Sequence, residues 1–327
     1  MKQSEKLESP MGATEQTIFE QFSYWKAALK PAGPSHEAAL NVYVGCGTSY
    51  NLALSLAALS NEAGRPAIAV PGGEWVNRPG THWPQWQKVH VIGLSRSGET
   101  TEMIAAAKAS RAAGAFFTAI TVEPESSFAR NCDRLLVAET HPMEGIVMTT
   151  SASLMLLLGI LDLGHDVPAS LIDTARAILD DTDARMTPLL EGRSHIVYLG
   201  GGHLYGIALE GALKLMEMSQ VFTQTFHPPE YRHGPISLVD ERTAAVMLHG
   251  RGEPAAEASL VGELQEKGAL VLGFGGPGDV SFDVDCDPTL AGLAVLPALQ
   301  LLGERTAQAH KLDTSAPRHL TKVVTLT

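Results

Sequence analysis

Three stretches of this 327-residue chain combine residue types and spacings that can do chemistry. The first is Leu94-Ser95-Arg96-Ser97-Gly98-Glu99-Thr100, which follows an apolar run and precedes an Ala-rich one. A turn from strand to helix offers unpaired backbone N–H groups and the positive end of the helix dipole to an anion. Ser95, Ser97 and Thr100 add hydroxyls, Arg96 lies among them, and Gly98 permits close backbone approach or a positive φ. A helix cap needs one hydroxyl, and three point to a phosphate seat. Thr48 and Ser49 occupy the neighbouring strand-to-helix turn. The two turns are expected to face each other at the carboxyl ends of adjacent strands, where open α/β sheets bind ligands.

The second stretch holds Glu210, Lys214 and Glu217, spaced by four and three so that they share one helix face. From spacing alone such a face is a solvated ion-pair stripe. Next comes Phe226-His227-Pro228-Pro229-Glu230-Tyr231-Arg232-His233-Gly234-Pro235, a loop stiffened by proline that presents His and Glu. The third stretch is Pro317 to Thr325, which carries Lys322 and is apolar for a terminus, so it is expected to dock rather than fray.

The elements that would position these groups alternate. Val42–Val44, Ala67–Val70, Val89–Leu94 and Phe116–Val122 read as strands. Asn51–Leu59, Thr101–Ala113, Met148–Leu163 and Ala169–Leu190 read as helices, after an opening helix over Thr17–Leu29. The alternation predicts an α/β fold with parallel sheets covered on both faces, three layers in the flavodoxin manner. Shifting the chain by 155 residues lays Val42-Tyr43-Val44-Gly45-Cys46-Gly47 on Val197-Tyr198-Leu199-Gly200-Gly201-Gly202, with Tyr50, Ala53 and Leu54 falling on Tyr205, Ala208 and Leu209. Glycine and tyrosine in register predict an internal duplication. The expected organisation is a tail and helix over 1–35, a first unit over 36–190, a second over 191–310 and a C-terminal tail over 311–327. The second copy's turn, Gly201-Gly202-His203-Leu204, lacks the two hydroxyls, so one phosphate seat per chain is expected, in the first unit.

Composition narrows the partners. The chain is 45% hydrophobic and 18% charged, a globular profile, with a formal charge of −12 that disfavours nucleic acid. Cys46, Cys132 and Cys286 have no metal-ligand spacing, so neither zinc nor another cofactor is expected, and their odd number suits a reducing, cytoplasmic location. The polar Met1–Ala13 is not a signal peptide, and the longest apolar stretch, Leu154–Leu163, is too short to span a bilayer.

Gly45-Cys46-Gly47-Thr48-Ser49-Tyr50 and Ser95–Thr100 resemble the signatures of the sugar isomerase (SIS) family. Ala208-Leu209-Glu210-Gly211-Ala212-Leu213-Lys214-Leu215, Arg232-His233-Gly234-Pro235 and Pro317–Lys322 are similar to the isomerase half of the glutamine–fructose-6-phosphate amidotransferases. The resemblance implies two tandem SIS domains and a phosphorylated aminosugar as ligand. Ser49, Ser95, Ser97 and Thr100 would hold the phosphate, with Thr48 near the sugar and Arg96 where the amidotransferases have glutamine. Glu217 would move a proton between C1 and C2, assisted by Lys214. Lys322 would form a Schiff base with the ketose. His233 would open the sugar ring, reaching in from the partner of a homodimer.

The departures shape the expected reaction. Read as it stands, the chain starts directly before its first SIS unit, so no glutaminase and no channelled ammonia are expected. Ile146-Val147-Met148-Thr149-Thr150-Ser151 resembles the stand-alone aminosugar-phosphate deaminases and isomerases instead. The expectation is conversion of glucosamine-6-phosphate to fructose-6-phosphate and ammonia. The alternatives are another phosphosugar isomerase or fructosamine-phosphate deglycase, and a non-catalytic sugar-phosphate sensor that would leave Glu217, His233 and Lys322 without a task.

Overall fold

Runs of β-branched and apolar residues bounded by glycine make the central strands, and they are buried on both faces. The computed structural model describes residues 11–30, 33, 36–82, 88–186, 192–251 and 254–325. Helix α1 (Ala13–Ala28) precedes a first unit of β1 (Leu40–Gly45), α2 (Thr48–Glu62), β2 (Ala67–Pro71), α3 (Gly72–Asn77), β3 (Val89–Leu94), α4 (Thr101–Ala112), β4 (Phe116–Thr121), β5 (Arg134–Val137), α5 (Thr150–Asp162) and α6 (Ser170–Met186). The second unit holds β6 (His195–Gly200), α7 (Leu204–Ser219), β7 (Thr223–Phe226), α8 (Pro228–Tyr231), β8 (Thr243–Leu248), α9 (Pro254–Glu266), β9 (Leu270–Phe274), β10 (Val280–Phe282) and α10 (Ala291–Ala309).

Each unit builds one five-stranded parallel sheet, in the orders β2-β1-β3-β4-β5 and β7-β6-β8-β9-β10. Counted within its own unit, each order is 2-1-3-4-5, the flavodoxin-like arrangement with its ligand crevice between strands 1 and 3. The fold class and the duplication expected from the sequence are both present. The 155-residue offset carries Leu40–Gly45 onto His195–Gly200, the full length of β1 onto that of β6. The shared glycines have one physical cause. A Cβ on Gly45 would lie 2.4 Å from the Ser49 carbonyl, and one on Gly200 would lie 2.6 Å from that of Leu204, so each strand end runs against the next helix's first turn.

The units are joined through equivalent helices. α2 packs on α7, and a Cβ on Gly206 would sit 2.4 Å from the Asn51 carbonyl oxygen, so α7 lies with its backbone on that of α2. One apolar core runs through both units, drawing on Leu52 and Leu56 of α2, Leu154 and Leu157 of α5, Ile207 and Leu215 of α7 and Leu296 and Leu299 of α10. Helix α1 is tied into it by Trp25, whose indole N–H donates to Ser153 Oγ at 2.7 Å.

Three details differ from the sequence expectation. α1 begins four residues earlier, at Ala13. α2 begins at Thr48 rather than Asn51, so Thr48 and Ser49 are its first turn, not a loop before it. β5 was not foreseen, because it is a four-residue edge strand with only Leu136 buried. The expected tail and part of the linker at 187–191 lie outside the described residues.

Candidate active site

A cavity of about 230 Å³ opens where the carboxyl ends of β1 and β3 meet α7 and the C-terminal tail. Its floor is the pair of strand-to-helix turns. Thr100 stands at the head of α4, yet its hydroxyl makes no cap hydrogen bond, so capping does not account for it. Ser95 Oγ accepts from the Gly98 N–H, and Ser97 Oγ accepts from the Glu99 N–H, both at 3.2 Å. Gly98 holds φ +60°, and a Cβ there would collide with Ser126 Oγ at 2.0 Å. The turn is therefore a tight crown whose hydroxyls and helix terminus face the cavity, an arrangement suited to an anion. Replacing Ser97 or Thr100 by alanine is expected to weaken binding of inorganic phosphate by about 1–3 kcal/mol, read by calorimetry.

The opposite wall comes from α7 of the second unit, and it is not a solvated stripe. Glu210 is 0% exposed and Lys214 1%. Glu210 Oε1 accepts from Thr48 Oγ1 and its Oε2 accepts from Asn51 Nδ2, each at 3.0 Å, so this carboxylate bridges the two units. Lys214 Nζ donates to Glu217 Oε2 at 2.5 Å and lies 3.5 Å from Glu210 Oε1. Burial alone pulls the Lys214 ammonium down, but Glu210 and Glu217 together outweigh it and hold it above its ordinary value. Burial pushes the Glu210 carboxyl up, with Lys214 opposing. Glu217, with its side chain 21% exposed, is the most exposed member of the cluster and lines the cavity together with Lys214.

The roof is the C-terminal tail. Arg96 Nη1 donates to the Gly145 and Ile146 carbonyls at 2.9 Å, and its Nη2 donates to the Lys322 carbonyl at 3.0 Å. Lys322 Nζ donates to the Glu144 carbonyl at 3.2 Å. The Glu144 side chain in turn anchors the start of α5, accepting from Thr149 N at 2.6 Å and Ser151 N at 3.0 Å. Arg96 thus stitches tail and loop to the turn, with two of its nitrogens spent on backbone carbonyls. An Arg96→Gln variant is expected to loosen the tail by about 1.5–3 kcal/mol per charged hydrogen bond lost. Faster tryptic cleavage at Lys322 would report it, and an unchanged rate would deny Arg96 this role.

The structure gathers Thr48, Ser49, Ser95, Arg96, Ser97, Thr100, Lys214, Glu217 and Lys322 around this cavity. His233 is not among them; it is exposed beyond α8, its N–H donating to the Glu230 carbonyl at 3.0 Å. Sequence reasoning missed Cys46, Glu102, Ile146 and Met148, which also line it. Glu102 reads in sequence as a first-turn acid complementing the dipole of α4, and its buried Oε2 has no partner. Burial pushes the Cys46 thiol up to about 11, so it is no thiolate nucleophile at neutral pH.

Two α/β units that pool their turns, one buried Lys–Glu cluster and a tail into a single crevice define a tandem-repeat α/β protein. A SIS domain family model matches residues 41–161 and 189–290, and the chain belongs to the SIS domain family. The glutamine–fructose-6-phosphate aminotransferase (isomerizing) of Pyrobaculum aerophilum is 31% identical over 317 residues, covering 88% of this chain and 52% of that protein. This chain spans about half the length of the curated relatives it matches. Among solved structures, a glucosamine-6-phosphate deaminase from Thermotoga maritima has a TM-score of 0.85 and 30% identity, covering 96% of this chain and 100% of that one. A tagatose-6-phosphate ketose/aldose isomerase from Escherichia coli shares the fold at a TM-score of 0.78 and 21% identity, over 93% of this chain and 95% of that one. No helix among the described residues is long and apolar enough to cross a membrane.

Proposed function

We propose that the protein converts glucosamine-6-phosphate and water to fructose-6-phosphate and ammonia. One observation carries this reading: a hydroxyl-lined turn suited to an anion and a carboxylate backed by a buried lysine line one cavity of about 230 Å³. The likeness to the Thermotoga deaminase over nearly the whole chain supports the choice of reaction.

In this reading the Ser95–Thr100 turn and Ser49 hold the 6-phosphate, and Thr48 lies beside the sugar. Ring opening gives a C1 aldehyde with the amine on C2. Glu217 takes the proton from C2, and the electron pair moves through an enolamine. Glu217 then returns the proton to C1, one base serving two adjacent carbons. The C2 imine so formed adds water and expels ammonia, leaving the ketone. Lys214 holds Glu217 in place through their hydrogen bond. Lys322, a primary amine at the rim, can displace ammonia by forming its own imine at C2, which water later cleaves.

His233 is exposed and outside its own cavity, which supports assigning it to the cavity of a second copy in a homodimer. Mixing inactive His233→Ala and Glu217→Gln chains should then restore about a quarter of the activity, since half of randomly assorted symmetric dimers carry one intact site. No recovery in a mixture shown to exchange subunits would place His233 elsewhere.

The reaction is tested by incubation with glucosamine-6-phosphate while ammonia and fructose-6-phosphate are measured together. Equal amounts support the deaminase. Conversion of another phosphosugar, with neither product formed from this one, would overturn the substrate and leave the proton shuttle standing.

A further inference from the structure

The offset that superposes the two units also maps the first cavity onto a second place in the molecule. Shifted by 155 residues, Thr48 falls on His203, Ser49 on Leu204, and Glu62 on Glu217. His203, Leu204 and Glu62 line a cleft of about 990 Å³ at the carboxyl ends of β6, β8 and β9. It is built like the first site with the units exchanged. The second unit supplies both turns, 201–204 and 249–251, and the first supplies a carboxylate from the end of its α2.

The difference lies at the anion seat. In the first unit the turn after β3 is lined by hydroxyls, and the Oε2 of nearby Glu102 accepts no hydrogen bond from it. In the second, the chain's own carboxylate fills the corresponding place. Glu257, in the first turn of α9 and only 6% exposed, accepts from the Gly250 N–H at 3.0 Å and lies 3.5 Å from His249 Nδ1. A Cβ on either Gly201 or Gly250 would sit 3.8 Å from its Oε1, so the carboxylate lies between the two turns, as a phosphate would. An incoming phosphate would meet a fixed negative charge on the amide it needs.

One cation, Arg251, faces the cleft with its charge acting on the Asp287 carboxylate beside it, and the groups nearest the 201–204 turn accept hydrogen bonds. His203 Nδ1 lies 3.3 Å from Glu62 Oε1, and its Nε2 is buried with no partner, on a residue 9% exposed. A neutral imidazole that donates through Nδ1 to a carboxylate presents Nε2 as an acceptor. Glu62 itself is nearly half exposed. The guanidinium of Arg232 is already taken, donating to Glu263 at 2.8–3.2 Å, so it offers little to an anion.

We propose that this cleft is a second ligand site, for a small polyol that carries a protonated amine and no phosphate. The amine pairs with Glu62 and Glu257, and a donor group reaches His203 Nε2. The site is independent of the reaction proposed for the first cavity, so either can fail without the other.

The test is calorimetric titration of the full chain with D-glucosamine, N-acetylglucosamine and inorganic phosphate. Each is repeated in three variants: Glu62→Gln with Glu257→Gln, Ala256→Trp to fill the cleft without changing its charge, and Thr100→Ala to disable the first seat. Glucosamine is expected to bind the parent and Thr100→Ala alike, to lose at least tenfold in affinity in the other two, and to bind at least tenfold better than its N-acetyl form. Phosphate affinity should fall only in Thr100→Ala. Absence of glucosamine binding, binding lost only in Thr100→Ala, or phosphate binding that needs the second cleft would each overturn the proposal.

Discussion

Replacing Glu217 by glutamine will remove turnover while leaving phosphate affinity intact. The amide keeps the shape of the carboxylate and loses its basicity, so the side chain can still fill its place but cannot take a proton from carbon. General acid–base catalysis contributes on the order of 10²–10⁴-fold, and a fall of that size in kcat is expected. Binding should survive because the phosphate turn belongs to the first unit, whereas Glu217 stands on α7 of the second. The fold should survive as well, since Lys214 keeps Glu210 within 3.5 Å. Single-turnover conversion of glucosamine-6-phosphate gives the rate, and calorimetry with inorganic phosphate gives the affinity. Near-normal turnover would return Glu217 to the status of an ion-pair partner and remove the proton shuttle from the mechanism.

Replacing Lys214 by methionine will cost more stability than any other single change in the cluster. Methionine fills a similar volume, so the loss is of charge rather than packing. It leaves Glu210, fully buried, without its cation. Removing one partner of a buried pair costs about 3–5 kcal/mol. The pH dependence follows from the direction of each shift. Glu210 is raised in the folded state by burial, and Lys214 is what restrains it. A carboxyl raised on folding favours the folded state at low pH, and that contribution is lost as pH rises through its folded value. The variant should therefore recover stability on acidification and lose it towards neutrality. In the parent, Lys214 is itself raised, so its contribution holds below the ordinary lysine range and fades only above it. Denaturant melts of both proteins across pH measure this. A variant as stable as the parent at neutral pH would mean that Glu210 is already protonated there. The double variant with Glu210→Gln should regain most of the loss, because the stranded charge is then gone.

Much of this architecture is legible in the sequence. The bounds of β3, Val89–Leu94, follow from an apolar run, interrupted only by His90, between Lys88 and Ser95, and every residue of it is buried. The duplication shows in the glycines because Gly45 and Gly200 meet the same steric demand at the same place in each unit. Tertiary facts stayed hidden. Glu210 looks like a surface acid because its partners, Thr48 and Asn51, lie 162 and 159 residues away. Arg96 reads as a phosphate ligand because it sits in the phosphate turn, while its guanidinium reaches a carbonyl 226 residues on. The second cleft was hidden for another reason. The aligned stretch ended before Glu62 and Glu217, and the loss of hydroxyls in 201–204 looked like the loss of a site.

The seam between α2 and α7 has a consequence for motion. Enzymes that close around a substrate by swinging two domains need a hinge, and here the place for one is occupied. Glu210 is bonded to both units, and Gly206 seats one helix on the other's backbone. On the function proposed above, the distance from the Ser95–Thr100 turn to Glu217 is thus set when the chain folds, and the tail is the part left to open. It is attached through the backbone of Lys322 to Arg96 and through the side chain of Lys322 to Glu144. Opening it means breaking a few part-buried hydrogen bonds, a loop event on the microsecond-to-millisecond scale, whereas parting the units would mean breaking the common core. Where product release limits the rate, the clock is the tail.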